Sequence, residues 1–134
     1  AEYQGLSQAL PYGGERTRKM SEVVARMKKL ALAAKPYLPD LVKSNAPGER
    51  LGGVIVLQMD FDPAYIDWLA DRLPEESAFI GYQAASALLA RARVTGPPEK
   101  ARIKAAIDAA ARRITNPEQE RDALVQEILK EVSR

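Results

Sequence analysis

The densest potential chemistry in this chain is a group of carboxylates, Asp60, Asp62, Asp67 and Asp71. Clustered carboxylates are the hard oxygen ligands that Mg²⁺ and Ca²⁺ select. The spacing does not fit that use, because the glycine pattern of a calcium loop is missing. Asp62 stands directly before Pro63 and reads as a helix N-cap. Asp67 and Asp71 are four apart and read as one solvated helix face. The cluster therefore reads as structural, and neither a metal nor another cofactor is expected.

Within the same stretch, Tyr65, Trp68 and Arg72 recur at spacings of three and four, which puts them on one flank of a helix. Ile66, Leu69, Ala70 and Leu73 form the adjacent core face. Tyrosine, tryptophan and arginine dominate binding hot spots, so the trio is the candidate partner-binding site. The plainer alternative is that Trp68 seals the edge of the core. A second feature is Gly13-Gly14 followed by Arg16, Arg18 and Lys19. Glycine ahead of a helix can cradle phosphate, but no strand precedes it and no Gly-Lys-Ser/Thr motif follows. A nucleotide site is not expected.

Much chemistry is excluded by residue type. The chain has no cysteine and no histidine. Thiolate zinc sites, disulfides, thiol nucleophiles and a Ser-His-Asp triad cannot be built. The usual proton shuttle near neutral pH is also missing. No catalytic residues are assigned, and the chain is expected not to be an enzyme. The lack of cysteine suits a cytoplasmic protein. No apolar run is long enough to span a bilayer, and no membrane partner is expected.

Charge comes in blocks. From 14 to 35 there are seven basic and two acidic residues; from 36 to 90, three and eight; from 91 to 115, again seven and two. Two basic segments of this kind attract polyanions. The alternative function is accordingly nucleic-acid binding through helices 14–35 and 91–115, with Arg16, Arg18, Lys19, Arg91 and Arg93 as contacts. Against it stand the small net charge of +2 and the lack of interleaved aromatics.

The elements that must carry these residues read as helices throughout. In 134 residues, 46% are apolar and only 6% aromatic, with alanine and leucine abundant. That favours closely approaching helices over sheets. Residues 1–13 read as an irregular lead-in, and 14–134 as a single helical-repeat domain. The periodicity predicts helices over 15–34, 37–42, 48–58, 63–73, 78–93 and 99–114, and a last one from Asn116-Pro117 through Val132. Met20, Val23, Val24, Met27, Leu30, Ala31 and Ala34 form the apolar face of the first. Val54-Ile55-Val56-Leu57 is the one run that also reads as a buried strand, but it continues a helical pattern. Short, proline-marked connections fold each helix back on its neighbour.

The middle of the chain resembles HEAT repeats. The resemblance is carried by Pro47-Gly48-Glu49-Arg50-Leu51-Gly52-Gly53-Val54-Ile55-Val56-Leu57, by Asp62-Pro63 with the helix to Leu73, and by Ala78-Phe79-Ile80-Gly81-Tyr82-Gln83-Ala84-Ala85-Ser86-Ala87-Leu88-Leu89. Ile80-Gly81 stands where that family has valine and arginine, so its arginine ladder is not matched. The resemblance implies an all-α fold of antiparallel helix pairs stacked as a short right-handed array. It also implies a non-catalytic protein-interaction or scaffolding role, as part of a larger bacterial signalling or defence protein. The partner would be another protein or an attached domain of the same chain.

Overall fold

A computed structural model describes residues 14–134. The lead-in at 1–13 and the side chain of Arg16 lie outside the described residues. Every regular element among the described residues is helical. The chain divides into two compact units, Ala1–Met59 and Asp60–Arg134, where the sequence reads as one continuous domain. In chain order the helices are α1 (Gly14–Ala34), α2 (Leu38–Lys43), α3 (Pro47–Met59), α4 (Ile66–Glu75), α5 (Ala78–Ala92), α6 (Pro97–Ala111) and α7 (Gln119–Val132).

In the first unit α1 and α2 both pack on α3. The buried stripe of α1 is Met20, Val23, Val24 and Ala31. Leu30 was expected on that face but is 64% exposed. Pro36 does not end the helical path. It occupies the first turn of a 3-10 segment, Lys35–Tyr37, which its fixed φ suits, and the chain runs on into α2. Helix α3 buries Leu51, Val54, Ile55, Val56 and Leu57. Residues on all sides of it are apolar, so the run at 54–57 has no alternation and is helical. Its start is fixed by Ser44, whose hydroxyl accepts the Ala46 N–H at 3.0 Å and donates to Glu49.

The second unit is two helix pairs, α4/α5 and α6/α7. Only Glu76 and Ser77 separate α4 from α5, and Arg91 at the end of α5 stands over the Phe61 ring ahead of α4, so the two are antiparallel. Helix α4 pairs with α5. The pairs stack first helix on first and second on second. Arg102, early in α6, donates to the Pro63 carbonyl at 3.1 Å, and Arg113, just after α6, reaches Asp71 and Glu75. Like ends therefore meet, and α4 and α6 run parallel. Gly81 and Arg121, each in the first turn of its helix, set α5 and α7 parallel in the same way.

Burial repeats with the stacking. Ile66, Leu69, Ala70 and Leu73 in α4 match Ile103, Ala106, Ile107 and Ala110 in α6. Gly81, Ala85 and Leu88 in α5 match Arg121, Val125 and Ile128 in α7. The recurrence is roughly 40 residues, the length of a two-helix repeat.

Several boundaries differ from the predicted ones by two or three residues. The periodicity ends a helix at Leu73, yet Pro74 lies inside α4. It forfeits only the bond to residue 70, and the helix ends within its last turn, where such a loss is small. The last helix starts at Gln119 rather than at Asn116-Pro117. The Asp122 carboxylate accepts the Glu118 N–H at 2.9 Å and fixes the start there.

Gly81 sits at a close approach of three helices. A Cβ built on it would stand 3.1 Å from Arg121 Cδ, 3.5 Å from the Arg72 carbonyl and 3.6 Å from Leu73 Cα. Gly52 has room, with only Leu41 side-chain atoms at 3.9 Å. Gly81→Leu should therefore lose about 1–3 kcal/mol by overpacking. Gly52→Ala should gain about 0.5–1 kcal/mol from the relief of glycine's entropy in a helix. Urea unfolding followed by circular dichroism checks both signs, and equal effects at the two sites would refute the distinction.

Candidate functional site

Helix α4 carries the predicted trio. The Asp62 side chain accepts the Ala64 N–H at 2.9 Å and starts a 3-10 turn, Pro63–Tyr65, that leads into the helix. The acidic cluster is thus partly a cap, as expected, and Asp71 is spent on Arg113. Among the described residues, no group of acidic side chains is placed to hold a metal ion.

The trio divides on burial. Tyr65 and Trp68 are half-buried, whereas Arg72 is only 6% exposed. Arg72 therefore does not present its charge to a partner, as the sequence had suggested. Its Nε donates to the Trp68 carbonyl at 3.0 Å and its Nη1 to Glu76 at 2.8 Å, with Glu75 3.6 Å away. The Glu76 side chain is itself buried, at 2% exposure. The guanidinium carbon lies 4.6 Å from the centre of the Trp68 ring, a cation–π contact. Arg72 thus holds the indole from one face, and Glu76 holds Arg72. Sequence spacing found the flank; Glu76, four residues on, was the missed member, visible in principle as an i, i+4 ion pair.

The second basic block is mostly engaged. Arg91 donates to Glu99 at 2.5 Å, and the Thr95 hydroxyl donates to the same carboxylate at 2.5 Å. Lys104 pairs with Asp108 at 2.7 Å, and Arg113 with Asp71 and Glu75. The Arg91 hydrogen bond, then that of Thr95, holds the Glu99 carboxyl below its ordinary value, and Glu99 in turn raises Arg91. In the first block Arg18 is exposed, and Lys19 is half-exposed and lies 3.7 Å from Glu22. Arg93 is exposed. The two blocks lie in different units.

A shallow cleft of about 370 Å³ opens between α6 and α7, with Ala111, Ile114, Pro117 and Val125 as its apolar part and Asp122 and Gln126 at its rim. Asp122 is the one carboxylate in the lining. Burial works against ionising it, but the Glu118 N–H and Arg121 outweigh that and lower its pKa. It is charged and already engaged at neutral pH, unlike a general acid poised to give up a proton. Among the described residues, no helix is long and apolar enough to cross a membrane.

Removing one partner of a buried ion pair strands the other. Arg72→Met should cost about 3 kcal/mol, and Glu76→Leu in the same chain should restore most of it. A double-mutant cycle measures the coupling, and additive losses would refute it. The Glu99 shift fixes a second sign. A lowered carboxylate contributes its full stability above the ordinary carboxylate range and loses it as pH falls through the lower folded value. Glu99→Gln should therefore flatten the acid limb of the stability–pH curve while leaving its shape above pH ~6 unchanged. An unaltered acid limb would exclude the link.

Set against models of known families, curated proteins and solved structures, the chain matches none.

Proposed function

We propose that this chain is a non-catalytic protein-interaction or scaffolding domain of HEAT-like type, working in the bacterial cytoplasm as part of a larger signalling or defence protein. The observation that carries the reading is the clamped indole. Trp68 keeps part of its surface in solvent while Arg72 and Glu76 fix its orientation. A rigid, partly exposed tryptophan gives a partner contact area at little entropic cost. Tyr65, one turn earlier and half-buried, extends the same flank. The stacked pairs and their roughly 40-residue recurrence support the repeat reading.

Trp68 is the sole tryptophan of the chain, so its fluorescence reports directly on the proposed surface. Immobilised protein should retain a specific protein partner from its source cells. Trp68→Ala, with helicity unchanged, should weaken that retention at least about tenfold, as expected for a hot-spot residue. Addition of the purified partner should shift the Trp68 emission. Equal retention by wild type and Trp68→Ala would overturn the assignment. Retention of nucleic acid instead, lost steeply with added salt, would establish the polyanion alternative.

A further inference from the structure

Charge is divided unevenly between the two units. The first, Ala1–Met59, carries nine basic and five acidic residues, a net +4; the second carries eleven and thirteen, a net −2. Such asymmetry points to a polyanionic partner for the basic half. The excess gathers around the end of α1. From residue 23 to 48 there are five cations, Arg26, Lys28, Lys29, Lys35 and Lys43, against Asp40 alone. The stripe of Met20, Val23, Val24 and Ala31 is buried where α1 packs on α3. At about 100° per residue, Arg18, Ala25, Lys29 and Leu32 fall on the opposite side, and Lys28 stands one turn before Leu32 on its flank. All five are exposed. Glu22, the carboxylate of that side, lies 3.7 Å from Lys19. Among the described residues, neither Lys28 nor Lys29 meets a carboxylate.

Amid these lysines the chain leaves large apolar groups in water. Leu32 is 78% exposed, and Tyr37, in the 3-10 turn that follows α1, is 62% exposed. Lys35 lies between them in sequence and is exposed as well. We propose that this corner, the last turns of α1 with the Lys35–Tyr37 turn, docks on an anionic lipid surface. Leu32 and Tyr37 enter the boundary between headgroups and acyl chains. Lys28, Lys29 and Lys35 lay their stems along it and keep their ammonium groups among the anionic headgroups. A nucleic acid rewards the lysines alone, because its backbone offers charge but no apolar phase for Leu32. A nucleic-acid surface drawn on both basic blocks also lacks most of the second, whose Arg91, Lys104 and Arg113 pair with carboxylates of their own unit. That no described helix is long and apolar enough to cross a bilayer does not bear on this contact, which lies on the surface and not through it.

The number of charges sets the strength. Each cation close to an anionic leaflet is worth roughly fivefold in partitioning, so three lysines together give roughly a hundredfold. One leucine side chain leaving water adds roughly tenfold. The attachment is therefore peripheral, reversible and sensitive to salt, since screening shortens the reach of each charge to about 8 Å at physiological ionic strength. It goes beyond the proposed protein-binding surface: it belongs to the first unit, whereas Trp68 belongs to the second.

Flotation of the whole chain with vesicles tests this, using phosphatidylcholine alone and phosphatidylcholine with about one-third phosphatidylserine. Binding is expected to the second and not to the first, and it should fall as salt rises. Lys28→Gln with Lys29→Gln should weaken it by roughly tenfold or more. Lys104→Gln with Lys130→Gln removes as much charge from the second unit and should leave binding as in the wild type. Leu32→Ala, which leaves every charge in place, should weaken binding severalfold, and Tyr37→Ser repeats that test at the other apolar group. Every substituted side chain is exposed, so circular dichroism should show unchanged helicity throughout. No binding to the anionic vesicles, or binding that ignores either the lysine pair or Leu32, overturns the proposal. So does binding of RNA or duplex DNA through the same lysines by a chain that ignores the vesicles.

Discussion

The second unit depends on how closely its helices can approach at α5. That helix must touch α4 along one side and α7 along another. It does so with Gly81, Ala84 and Ala85 buried in its contact faces. The backbone of α4 and the side chain of Arg121 both come within van der Waals reach of where a Gly81 Cβ would be. Small residues bring little apolar area per contact, so the helices must come near to exclude water at all. Leucines and isoleucines of the flanking helices then supply the bulk, with Leu69, Leu73, Ile103 and Ile128 fully buried.

Two buried arginines sit at the ends of this contact. Arg72 lies at the end of α4 and Arg121 at the start of α7, and both border Gly81. Each meets a nearby carboxylate: Arg72 meets Glu76, just past the end of α4, and Arg121 meets Asp122 of its own helix. Each also caps a backbone carbonyl: Arg72 that of Trp68, Arg121 that of Asn116 at 2.6 Å. A buried charge without such partners would be costly. At Gly81 it is the Arg121 side chain that lies against the glycine, while Arg72 borders it through its backbone carbonyl. The same arrangement gives Trp68 its fixed ring, so the candidate binding surface is a by-product of how the core closes.

Much of this was legible in the chain itself. Helix positions followed from apolar spacing and from prolines, and most boundaries fell within a few residues. The misses have physical reasons. Pro74 reads as a terminator, but a proline late in a helix costs one hydrogen bond at a point where the helix is ending. Leu30 reads as core because it recurs in the pattern, but a pattern does not say how many neighbours a helix has. Arg72 reads as a surface group because arginines usually are; its burial depends on Glu76 and on the fold of the α4–α5 turn.

The burial of α3 on all sides has a further consequence. Val54-Ile55-Val56-Leu57 has three β-branched residues, no charge and no proline, the composition from which intermolecular strands are made. Held in a covered helix, it is harmless. Loss of the helices over it would release more than unfolding free energy, because it would uncover an adhesive segment during synthesis or heat stress. The charges that flank the run in sequence are Arg50 on one side and Asp60 and Asp62 on the other, the placement by which such segments are kept apart.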